Sequence, residues 1–133
     1  MTEMRATPAR DAHAAAAADY RIGLERGPKR VRVVFGDATV ADSTRAILML
    51  EPRHRPVIYF PRADVRMDLM PRTDHGSHCP FKGDASYWTI EVGGRVAENA
   101  VWSYEEPFEA VSAIKDHVAF YRDRMDAWHE DDV

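Results

Sequence analysis

The chain has 133 residues, 45% of them hydrophobic and 10% aromatic, enough for one core and too little for two. Its formal net charge of -4 leaves no broad cationic surface, so nucleic acid is not an expected partner. A single cysteine excludes an internal disulfide and a cysteine-rich structural zinc site; with no long apolar run and no basic-then-apolar leader, no membrane partner and a cytoplasmic location are expected.

Residues 1–19 are polar and alanine-rich without a repeating apolar face, which predicts a flexible tail; residues 20–129 read as one β-rich domain and 130–133 as a solvated acidic end. Tyr20 to Glu25 alternates apolar with polar side chains and predicts a short edge strand ending at Gly27-Pro28. Val31, Val33 and Phe35 share one face of a strand, Gly36-Asp37 makes the turn, and Thr39-Val40-Ala41 returns as its partner. Strands follow at Ala46 to Leu50 and at Val57 to Phe60, separated by the polar, proline-bracketed loop from Glu51 to Pro56. Pro61 to Asp64 predicts a turn or a single helical turn, and Val65, Met67 and Leu69 alternate as another half-buried strand closed by Pro71.

Thr73 to Asp84 gathers two histidines, the only cysteine, a lysine, two aspartates and two glycines into a stretch that reads as a functional loop. Ser86 to Val92 then predicts a strand, Gly93-Gly94 a hairpin turn and Arg95 to Trp102 its partner. Toward the end, Phe108, Val111, Ile114, Val118, Tyr121, Met125 and Trp128 keep helical spacing, yet Val118 to Tyr121 is strand-like in composition. The reading adopted is a helix from Pro107 to Lys115 followed by a strand near His117 to Arg122. The fold class is mainly β (α+β), a small antiparallel barrel or sandwich of seven to eight short strands with one C-terminal helix.

Asp42-Ser43, Tyr59-Phe60-Pro61, Asp64-Val65, Cys79-Pro80-Phe81-Lys82-Gly83, Tyr87-Trp88, Ala100-Val101-Trp102-Ser103-Tyr104 and Phe120-Tyr121 occur in that order. With these motifs, residues 28 to 129 resemble the microbial family catalogued as domain of unknown function four-two-seven, sometimes labelled nucleotidyltransferase-like. The resemblance implies a small β-rich fold and favours a strand at Val118 to Tyr121; it brings no established activity. A transferase would need carboxylates to hold magnesium, and the family pattern offers Asp42, Asp64 and Asp84. They are dispersed along the chain, and each is more often a turn or cap residue.

Cys79 with Lys82 three residues on is the sharpest chemical pair, since a nearby cation stabilises a thiolate nucleophile for which His75 or His78 could serve as base. The plain alternative is a small buried thiol beside a surface lysine. His75, His78 and Cys79 with Asp74 or Asp84 are legitimate zinc ligand types, but neighbours such as His78 and Cys79 rarely reach one ion, so no metal is assigned. Lys82-Gly83 after a proline turn suits a phosphate contact without matching a P-loop. Tyr59, Tyr87, Trp88, Trp102 and Tyr104 supply aromatic surface, with Tyr87 and Trp88 on opposite strand faces.

These residues support three functions. The first is a domain binding a small polar or anionic ligand in a pocket at the Cys79 to Gly83 turn, with Tyr59, Tyr87, Trp102, Asp42 and Asp64 contributing. The second is an enzyme using Cys79 and Lys82 or a metal-assisted transfer. The third is an interaction module that binds partner proteins or a copy of itself; no particular cofactor follows from any of them.

Overall fold

The computed structural model describes residues 21–131, which form ten strands in two antiparallel sheets. In chain order the strands are β1 (Gly23–Arg26), β2 (Arg30–Phe35), β3 (Ala38–Ser43), β4 (Ile47–Leu50), β5 (Val57–Pro61), β6 (Arg72–Cys79), β7 (Gly83–Val92), β8 (Arg95–Tyr104), β9 (His117–Phe120) and β10 (Ala127–Asp131). One sheet has seven strands in the order β1-β4-β5-β9-β8-β7-β6, and the other has three in the order β10-β2-β3. Among the described residues the larger sheet ends on β1 and β6, so the fold is two sheets and not a closed barrel. The expected tail at residues 1–19 lies outside the described residues.

Local sequence explains most of these strands. Val31, Val33 and Phe35 alternate inward along β2, and Gly36 and Asp37 take φ of +58° and +70°, the left-handed pair that a tight two-residue hairpin requires. Gly93 and Gly94, at φ +55° and +84°, make the equivalent turn between β7 and β8. The larger sheet buries side chains on both faces, because neighbours along each strand point opposite ways. Phe60, Trp88, Ile90, Val101, Val118 and Phe120 meet Val31, Val33, Phe35 and Val40 between the sheets. Tyr59, Ala85, Tyr87, Tyr104 and Ala119 project from the other face, where Val111 and Ile114 of a 3₁₀ segment cover part of it.

Four expectations change. The C-terminal helix is absent: Glu109–Ile114 is a 3₁₀ segment kinked at Val111, although Val111 and Ile114 bury as the spacing required. The stretch Val65 to Leu69 is not a strand; the backbone N–H of Arg66 donates to the Val40 carbonyl, only Val65 bridges to Ala41, and Met67–Leu69 turns as a 3₁₀ helix. Most of the presumed loop is strand β6, an edge that pairs with β7 from Arg72 to Cys79 around an irregularity between Arg72 and Gly76. Glu130 and Asp131, read as a solvated end, pair with Val31 and Arg30 in β10. The strand expected after Lys115 is present as β9.

Candidate functional site

The turn joining β6 to β7 closes when the Lys82 N–H donates to the Cys79 carbonyl at 3.2 Å, while the Lys82 carbonyl accepts the Phe108 N–H at 2.9 Å. Gly83 opens β7 at φ +117°, a conformation that side-chain-bearing residues rarely adopt. These constraints turn the lysine inward. Its side chain is 11% exposed, and Nζ lies 2.5 Å from Oε1 of Glu51, itself 8% exposed, and 6.0 Å from the Tyr104 ring centroid. A charge is buried at such cost that it needs an opposite charge in contact, and Glu51 supplies it.

Beside this pair is a cavity of about 490 Å³, lined by Tyr59, Cys79, Lys82, Tyr87, Trp102, Tyr104 and Tyr121 among others. The Trp102 indole N–H donates to the Tyr59 hydroxyl at 3.3 Å, and Tyr87 shares a 2.9 Å hydrogen bond with Ser77. Trp102 and Tyr121 rings stand 4.7 Å apart at 47°. Burial raises the pKa of Tyr59 and of Tyr104 well above the usual phenol range, reinforced for Tyr104 by Tyr59, Cys79, Tyr87 and Glu51 nearby. Both therefore stay protonated donors at any physiological pH. The Tyr104 hydroxyl, on a residue only 6% exposed, makes no hydrogen bond to the described residues.

The family model described as Domain of unknown function (DUF427) matches residues 23–131, which is every strand of the fold. The chain belongs to this family. No curated protein matches it. Within this DUF427 domain the resemblance motifs contribute to two different places. Tyr59, the Cys79 to Gly83 turn, Tyr87, Trp102 and Tyr104 surround the chamber.

Asp42 and Asp64 do not line it. Asp42 accepts both arms of the Arg30 guanidinium at 3.0 and 2.8 Å, which holds its carboxyl below the usual range. Burial would raise Asp64, but hydrogen bonds from Ser43 at 2.7 Å and Arg45 at 3.0 Å prevail and lower it. Asp84 is on the β6–β7 hairpin, bonded to His78 at 2.6 Å. His75 stands edge-on to Tyr87 at 4.4 Å, so each histidine has a partner other than the thiol. Among the described residues no three His, Cys, Asp or Glu side chains are grouped as a metal would require.

Sequence reasoning missed Glu51 and Tyr121. Glu51 follows directly on the apolar strand β4, the one signal that it is carried to the sheet face rather than into a polar loop. Tyr121 was hidden in a helical spacing that the fold does not use.

Proposed function

We propose that this DUF427 domain binds a small polar ligand in the chamber beside the Lys82–Glu51 pair. The observation that carries this reading is the hydroxyl of Tyr104, a residue 6% exposed that lines the chamber, which has no protein hydrogen bond among the described residues. Polar groups of mostly buried residues are usually paired within the protein, so a phenol left open on a concave wall is a place where a ligand acceptor takes the bond in place of water. Tyr87 and Tyr121 add hydroxyls, and Trp102 adds a flat apolar wall. Because Glu51 already neutralises Lys82, the wall beside that pair offers neutral donors, and the guanidinium that the chamber presents is that of Arg55.

The enzyme readings find less support. Lys82 is engaged by Glu51 rather than left to a thiolate, and the carboxylates a transferase would need, Asp42 and Asp64, are held by Arg30 and Arg45.

A thermal-shift panel of small polar metabolites at millimolar concentration tests the reading, since a ligand selective for the folded state raises Tm. At least one compound should raise it, and Tyr104→Phe should weaken that compound by about fivefold to tenfold, the worth of one hydrogen bond. The same change should leave the unliganded Tm nearly untouched, because no protein partner is lost. Shifts that survive both Tyr104→Phe and Trp102→Leu, or a panel with no shift at all, would defeat the chamber as a ligand site.

A further inference from the structure

The chamber shares Arg55, Val57, Trp102 and Tyr121 with a second and larger cavity of about 840 Å³. Trp102, Phe120, Tyr121 and Trp128 give its walls four aromatic rings. The tilted Trp102–Tyr121 pair forms the shared side, and Trp128 also lines the groove, with the Arg122 guanidinium 4.9 Å from its ring.

The charges in this groove are unevenly neutralised. Arg122 is paired with Glu130 at 3.2 Å, and the same carboxylate accepts the Trp128 indole N–H at 2.7 Å. Arg26 and Arg55 also line the groove, and neither has a carboxylate partner among the described residues. Elsewhere Arg30 is bound to Asp42, Arg45 to Asp64, Arg72 to Glu105 and Arg95 to Asp126, while Arg32 and Arg53 also have no carboxylate partner among the described residues but line neither cavity. With Arg122 and Glu130 paired and Asp123 the other carboxylate of the lining, Arg26 and Arg55 leave the groove a net positive charge beside the tilted aromatic pair, opposite in sign to the chain's net -4. Guanidinium presents a planar fork that fits carboxylate and phosphate oxygens two at a time.

We propose that the groove binds a ligand that joins a flat aromatic ring to an anion, a phosphate ester or a carboxylate. The ring stands against Trp102 and Tyr121, and the anion lies between Arg26 and Arg55. This rests on the chamber reading in one respect, because the ring occupies the wall that both cavities share. It refines that reading by assigning the negative charge to the arginine groove and not to Lys82, whose charge is already met.

The test is calorimetric titration of the full chain with methylumbelliferyl phosphate, methylumbelliferone, a coumarin carboxylate and inorganic phosphate. The two ring-bearing anions should bind at least about tenfold tighter than the neutral ring or inorganic phosphate alone, as charge-assisted hydrogen bonds imply. That preference should shrink with added salt. A double variant, Arg26→Gln with Arg55→Gln, changes only exposed side chains and should abolish the preference while leaving methylumbelliferone affinity in place. Whichever of the phosphate and the carboxylate binds more tightly identifies the anion.

Equal affinity for charged and neutral rings, a preference that survives the double variant, or no binding by any probe overturns the groove proposal. The two readings fail separately. Metabolite shifts that depend on Tyr104 but not on Arg26 and Arg55 would leave the chamber standing alone, and the reverse pattern would leave only the groove.

Discussion

Replacing Lys82 by methionine should destabilise the domain by about 2–4 kcal/mol. The ammonium and the Glu51 carboxylate are 2.5 Å apart with side chains only 11% and 8% exposed. At an effective dielectric near 20 their attraction is roughly 6–7 kcal/mol, and the several kcal/mol each ion loses on leaving water offset much of it. Removing one partner leaves that desolvation cost on the other, whereas removing both replaces the pair with apolar packing. The prediction is therefore strongly non-additive. Lys82→Met and Glu51→Leu should each cost about 2–4 kcal/mol, and the double variant should cost less than their sum by at least about 1 kcal/mol. Urea denaturation at neutral pH measures all four corners of this cycle, and the single variants should lower Tm by roughly 10–20 °C. Single effects that add to within about 0.5 kcal/mol would refute the pair as a coupled, buried unit.

Tyr59 gives an alkaline prediction. Its folded pKa is raised by burial, so its contribution is whole below the usual phenol value near 10 and is lost as pH climbs toward the folded value; Tyr59→Phe should flatten the alkaline limb of the stability curve by about 1.4 kcal/mol per pH unit. Glu105 gives the opposite one. Hydrogen bonds from Arg72 at 2.9 and 3.1 Å and from Ser86 at 3.1 Å depress its pKa, so its stabilisation is present above the ordinary carboxyl range and lost as pH falls through the folded value; Glu105→Gln should flatten the acid limb in denaturation followed by circular dichroism. Gly36→Ala should cost about 2 kcal/mol in urea melts, since its φ is +58° and a Cβ there would lie 3.0 Å from Val92 Cβ and 3.2 Å from the Val92 carbonyl oxygen. Gly93→Ala, at φ +55° with nothing within 4 Å, should cost only about 1 kcal/mol, and equal losses would deny the contact.

Strands that bury one face were legible because alternation reports them directly: Val31, Val33 and Phe35 are all 2% exposed or less. Edge strands were not. β6 reads Arg-Thr-Asp-His-Gly-Ser-His-Cys and is exposed along most of its length, so its order comes from pairing with β7 rather than from burial of its own residues. β10 is similar, with acidic residues registered against β2. Spacing also misleads where two periods coincide. Val111, Ile114 and Val118 are all buried as a helical stripe demands, but Asp116 adopts φ +59° between them and the chain reverses into β9. The motif residues divided for a related reason: sequence order brought Asp42 and Asp64 into one list with Cys79 and Trp102, while the topology puts the first two beside Arg30 and Arg45.

The two faces of the large sheet argue about purpose by their composition. The face turned to the small sheet is filled by valine, isoleucine, alanine, methionine and aromatic hydrocarbon, with no tyrosine among its buried residues, as a face selected for packing alone would be. The opposite face holds the three tyrosines that are buried among the described residues and receives the Lys82–Glu51 pair. Polar groups cost free energy to bury and stabilise a core less than the aliphatic side chains that would fit in their place. A 3₁₀ segment covers only part of this face, through Val111 and Ile114, and the chamber lies where phenols, thiol and indole are left facing open volume. Stability accounts for most of the first face, where the buried polar groups are Ser103 and Nε of the Arg62 guanidinium over Trp88. On the second, the expensive chemistry collects where cover is missing, which packing does not explain and the proposed binding role would.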